Sequence, residues 1–69
     1  MALADARVGS GYIVHALDGL GGLRLHLERL GVVPGTPIQV IARMGGNLIV
    51  DVRGSRVALD EELAKCVLV

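Results

Sequence analysis

Two histidines, one cysteine and three glycine-rich stretches are the parts of this chain that could do more than pack. His15 lies in a strand-like stretch and His26 on the flank of a helix-like one; neither has a carboxylate beside it at ligand spacing. His26 and Glu28 are two residues apart, which on a helix turns them about 200° from each other, too far round to share a metal. Cys66 is a lone thiol just before an apolar run, a position that suits a packed side chain better than a ligand. A structural zinc site needs four clustered donors, and no such spacing is present. Gly9-Ser10-Gly11 has no Lys-Ser/Thr to complete a phosphate loop, and Gly19-x-Gly21-Gly22 lacks the rest of a dinucleotide fingerprint. Catalysis needs a base and a nucleophile, or two carboxylates, brought together, and the sequence offers neither set. The expectation is a protein that is not an enzyme and carries no cofactor.

Composition narrows the field further. Sixty-nine residues make one small domain, expected to span residues 1–69. Seven basic residues balance seven acidic ones, and Tyr12 is the one aromatic. A neutral chain with so little aromatic surface lacks the charge and the stacking platforms of a nucleic-acid binder. The N-terminus has no signal-peptide pattern, and no apolar run approaches the ~18 residues of a membrane span. A single cysteine excludes an internal disulfide and fits a reducing compartment. A cytoplasmic protein without membrane insertion is expected. The chain opens on Met1 with no linker, which favours a complete standalone protein.

The elements can be read in order. Residues 3–7 suit one helical turn with Leu3 and Ala6 inward. Residues 10–17 suggest a first strand whose apolar side chains fall on both faces, as in a strand buried on both sides or carrying a bulge. Leu20, Leu23, Leu27 and Leu30 form one helical stripe at spacings of 3, 4 and 3, while Leu25 falls opposite, beside Arg29. No Ser, Thr or Asn caps this helix; Asp18 is the nearest candidate. Gly31 supplies the stop, and Pro34-Gly35 the central pair of a type II turn. Residues 36–43 alternate, with Ile38, Val40 and Ala42 on one face, and Pro37 is allowed only at the strand's start or on an edge. Met44-Gly45-Gly46-Asn47 is a tight hairpin. Leu48, Val50 and Val52 point inward on the returning strand. Gly54-Ser55 turns into a short strand over 56–59, Asp60 caps one more helical turn, and residues 67–69 form a closing strand. About five short strands, one short inserted α-helix and a helical turn before the last strand describe a mainly β fold, a small, partly open SH3-like barrel.

With these elements placed, Leu27-x-x-Leu30-Gly31-Val32-x-Pro34-Gly35 resembles the FeoA (ferrous iron transport protein A) family. So do Leu3, Gly9, Val14 and Leu17 before it. The likeness continues through Ile38, Val40, the strand from Leu48 to Val52, Gly54, Val57-Ala58-Leu59 and the ending Ala64-x-x-Val67-x-Val69. It departs at Leu25, where members mostly carry a polar or basic residue, and at the tighter Gly45-Gly46 hairpin. The resemblance implies an accessory protein of ferrous iron uptake that contacts the cytoplasmic part of the GTPase-coupled transporter FeoB. The alternatives are the SH3-like C-terminal module of an iron-dependent repressor of the diphtheria-toxin-repressor type, or a weak metal binder using His15, His26 or Cys66. Function is then expected in a surface: Arg24, Leu25 and Arg29 on the helix, with Val33, Pro34 and Gly35 in the turn. Exposed strand edges and apolar surface add self-association to the expectations.

Overall fold

The computed structural model describes residues 1–19 and 21–69. Leu20, the first residue of the expected stripe, lies outside the described residues. The chain runs through a 3₁₀ turn (Leu3–Asp5), β1 (Gly11–Ile13), β2 (Ala16–Leu17), α1 (Gly22–Arg29), β3 (Pro37–Met44), β4 (Asn47–Val52), β5 (Ser55–Leu59), α2 (Glu61–Cys66) and β6 (Val67–Leu68). Strands β1-β3-β4-β5 form an antiparallel sheet in that order, and β2 pairs with β6 in a second, two-stranded sheet. This is the SH3-like, mainly β architecture read from the turns and alternation.

The expected first strand is divided. Gly11–Ile13 pairs with β3, whereas Ala16–Leu17 pairs with β6. Val14 lies between them, buried, with its N–H on the Thr36 carbonyl and its own carbonyl taken by Gly35 N–H. Apolar side chains fall on both faces of the stretch because the chain crosses from one sheet to the other and its inward direction changes.

A second departure lies in β3. Val40 pairs with Val50, but Ala42 pairs with Ile49 and Arg43 with Leu48, so a bulge shifts the register between Val40 and Ala42. Ile38 and Val40 are buried as expected, while Ala42 falls opposite Ile49 and Arg43 opposite the buried Leu48, with the long Arg43 side chain remaining exposed. Re-aiming one side chain is what an extra residue in a strand does. The Arg43 guanidinium donates to the Ala6 carbonyl at 3.0 Å, tying the sheet to the N-terminal turn.

The remaining elements follow their local chemistry. Gly45 and Gly46 supply two consecutive positive φ angles, 54° and 91°, as a type I′ hairpin needs. Arg53-Gly54 repeats the pattern at φ 53° and 89°, so the turn sits one residue earlier than expected and β5 begins at Ser55. Asp60 caps α2 by accepting the Leu63 N–H at 2.8 Å. Leu3, Val14, Leu27, Val32, Ile38, Val40, Leu48, Val50, Leu59 and Val67 fill the core.

One core residue is polar. Thr36 is fully buried and its Oγ1 has no hydrogen-bond partner, although its backbone N–H and carbonyl are both engaged. A buried hydroxyl without a partner loses its water and gains nothing in exchange. Thr36→Val keeps the branched shape and removes that hydroxyl, so it is expected to stabilise the protein by about 1 kcal/mol. A urea midpoint that falls rather than rises would show that the hydroxyl is satisfied in solution.

Candidate functional site

Helix α1 is short and poorly started. Its N-cap is Gly21 at φ 52°, and no side chain caps the first turn; Asp18 instead gives its backbone N–H to the Cys66 carbonyl. An isolated eight-residue helix is unstable in water, so this one depends on what it packs against. Leu27 is fully buried, and Leu23 and Leu30 are half-buried against the core. Leu25 remains 47% exposed, with Arg24 and Arg29 also exposed. The wheel reading of this helix therefore holds: Leu25 and Arg29, one turn apart, share the outward side. Arg24 lies about 100° round from Leu25.

The helix ends in a Schellman motif. Val32 N–H reaches the Leu27 carbonyl and Gly31 N–H the Glu28 carbonyl, both at 3.0 Å, with Gly31 at φ 86°. Val32 and Leu27, the two residues that this motif brings together, are both fully buried. The following turn is type II: Thr36 N–H donates to Val33 O at 3.1 Å and Gly35 sits at φ 91°. Pro34 and Gly35 are exposed and Val33 is half-buried. Gly35 N–H donates to the Val14 carbonyl at 2.8 Å, so the turn is fastened to the crossing between β1 and β2.

The metal-donor candidates stay apart. His15 and His26 are both exposed, and among the described residues no group of three or more His, Cys, Asp or Glu side chains converges. Cys66 is buried at the end of α2 and donates its S–H to the Glu62 carbonyl at 3.3 Å. Burial pushes its thiol above the usual range, and the charges of Asp18, Glu62 and Asp60 push the same way. A thiol held protonated is a poor nucleophile and a poor ligand. No helix among the described residues is long and apolar enough to cross a membrane.

A feature that the sequence reading missed lies on the outward face of the main sheet. Gly11, Ile13, Pro37, Gln39, Asp51 and Arg53 surround an open groove of about 400 Å³. Ile13 is 57% exposed there, the chain having turned Tyr12 and Ile38 toward the core side. Gly11-x-Ile13 opposite Pro37 was the available signal, but it becomes visible only once β1 and β3 are paired in this register.

The family model for the FeoA domain matches residues 1–69. A search of the curated proteins found no match. Among solved structures, an iron uptake regulatory protein (FeoA) is 35% identical, at TM-score 0.87, with 96% of this chain and 88% of that one covered. The zinc complex of FeoA from Stenotrophomonas maltophilia, a prokaryotic SH3 domain protein, is 27% identical at TM-score 0.88, with 99% and 87% covered. A manganese-dependent transcriptional repressor shares the fold at TM-score 0.89 and 18% identity, but this chain spans only 39% of it.

Proposed function

The chain belongs to the FeoA family, and from that premise we propose that it is a cytoplasmic accessory protein of ferrous iron uptake. It works by binding the cytoplasmic GTPase part of a FeoB-type transporter. The observation that carries the reading is Leu25: a large apolar side chain left 47% exposed on a helix whose opposite side is committed to the core. Arg29 one turn away and Arg24 beside it surround that side chain with charge, and the Val33-Pro34-Gly35 turn follows the helix directly. An apolar centre with arginine at its edge is a common composition for a protein contact. Nothing in this mode of action requires a metal, a cofactor or a catalytic group on this chain.

Titration of the labelled protein with the soluble GTPase domain of the transporter tests the reading by NMR. Shifts are expected to cluster on residues 24–35. Leu25→Glu is expected to weaken that binding at least tenfold while stability changes by no more than ~0.5 kcal/mol, since exposed substitutions away from special features cost little. Shifts elsewhere, or none, would reject this surface.

A second reading is favoured by the fold likeness to the manganese-dependent repressor. There the SH3-like unit would be a C-terminal regulatory module behind a DNA-binding domain. The length of the natural open reading frame separates the two, since only the repressor reading requires a long segment before Met1.

A further inference from the structure

The main sheet has two edges, β1 and β5. Strand β1 is three residues long and carries no charge, so nothing in it selects a partner or a register. Strand β5 has five residues, and the turn that starts it fixes which of its backbone groups are free. Arg53-Gly54 is a two-residue loop with φ 53° and 89°, a pattern that closes a hairpin on a bonded pair, here Val52 with Ser55. Alternation makes Val50 with Val57 and Leu48 with Leu59 the next bonded pairs, so the N–H and C=O of Arg56 and Ala58 point away from β4. Both residues are exposed, and among the described residues no backbone bond from another element reaches them.

Charge is divided along this edge. Arg53 and Arg56 stand at its start, while Asp60, Glu61 and Glu62 follow its end, and all five are exposed. Asp51 lies across the ladder from Arg56, yet its Oδ1 accepts the Gly54 N–H at 2.9 Å and no ion pair joins the two. The one ion pair among the described residues is Lys65 with Glu61. A charged side chain ordinarily blocks a sheet edge against other strands. This edge carries the opposite charge at its far end, and pairing about a two-fold axis sets the start of one strand against the end of the other.

We propose that the β5 edge pairs with the β5 edge of a second copy of this chain, antiparallel and centred on Val57, joining the two main sheets into one. The register follows by elimination. Only Arg56 and Ala58 have free backbone groups, so the ladder can set Arg56 against Arg56, Arg56 against Ala58, or Ala58 against Ala58. The first places like charges directly opposite, which is destabilising. The third aligns Arg56 with Asp60, whose carbonyl is already taken by the Ala64 N–H at 2.9 Å, and so leaves a single bonded pair. The second uses the whole of both strands, makes two bonded pairs of two hydrogen bonds each, and lays half-buried Val57 against its own copy. Arg56 then lies diagonal to Asp60 of the second copy, within reach of a long side chain. One short strand buries little surface, so the dimer belongs with weak, transient contacts. It does not rest on the helix contact with the transporter, since α1 contributes no residue to it.

The test is NMR of the ¹⁵N-labelled chain at rising protein concentration, from micromolar to millimolar. Saturable shifts are expected over residues 55–60, largest at the Arg56 and Ala58 amides, with tumbling slowing toward that of a dimer. A mixed sample of labelled and unlabelled chains should show an intermolecular contact between the two Val57 α-protons. Ala58→Pro should abolish the dimer and spare the β4–β5 ladder, because the N–H it removes faces the open edge. Arg56→Glu should weaken self-association at least tenfold, its carboxylate now facing the acidic end of the second copy, and it leaves every bond of the sheet in place. A spectrum and tumbling rate unchanged up to millimolar protein would overturn the proposal. So would concentration-dependent shifts centred on residues 11–13 or 24–35, or self-association that Arg56→Glu leaves at full strength.

Discussion

Leu27→Ala is expected to destabilise the protein by about 3 kcal/mol, within the 2–5 kcal/mol range of leucine truncations in cores. For a domain of this size that corresponds to a fall in thermal midpoint of roughly 12–24 °C. Leu27 is the one side chain of α1 that is fully buried; Leu23 and Leu30 are only half covered. The helix has no N-terminal side-chain cap, begins at two glycines, and is too short to persist alone. Its attachment therefore rests on Leu27 and on Val32, which the Schellman motif brings beside it. The loss should be distributed unevenly. Amides of residues 25–32 should lose hydrogen-exchange protection before those of β3 and β4, because the sheet retains its own ladder. A cost below about 1 kcal/mol would mean that the site collapses around alanine, or that α1 contributes little to the cooperative unit.

That same residue shows which parts of the fold were legible. Leu27, Leu30, Gly31 and Pro34-Gly35 could be read because their signals are local: helical spacing, one residue free to take positive φ, one proline that cannot continue a helix. Asp60 and the Gly45-Gly46 hairpin were legible for the same reason. The break at Val14 was not. Its neighbours on either side have strand composition, and only the partners, β3 for one half and β6 for the other, divide them. The bulge in β3 was hidden similarly, since 36–43 alternates cleanly and only the pairing with β4 reveals that Ala42 falls opposite Ile49 and Arg43 opposite Leu48.

The site divides along the same line. Leu25 stands out in a sequence because a helical wheel is local. The groove at Ile13 and Pro37 combines two segments 24 positions apart, and nothing in either marks them as neighbours. Thr36 marks a further limit, because a polar residue after a Pro-Gly turn is expected at the surface, yet it is fully buried, its carbonyl accepting the N–H of Val14 from a distant part of the chain. Local chemistry is readable in one dimension; pairing is not.

Gly31→Val carries the other large expected effect, and its cause differs from that at Leu27. Gly31 holds φ at 86°, and a Cβ placed there would meet only Val52 Cγ1 at 3.9 Å, an ordinary contact. Space is therefore available, and the cost comes from backbone conformation. A side chain in the left-handed region costs roughly 1–2 kcal/mol for an unbranched residue, and a β-branched residue is a genuine outlier there. Valine should fall near the top of the ~1–3 kcal/mol range for residues held in sparsely allowed conformations. The series separates strain from packing. Gly31→Asn should cost least, since asparagine visits this region readily, Gly31→Ala more, and Gly31→Val most. If the chain escaped the strain by leaving positive φ, the Gly31 and Val32 N–H bonds to the Glu28 and Leu27 carbonyls would break, and Val32 would be drawn off Leu27. The valine variant should then resemble Leu27→Ala, with exchange quickened first over residues 25–32. Denaturant midpoints that rank the three substitutions by volume, with asparagine more harmful than alanine, would show that packing against Val52 governs this position instead.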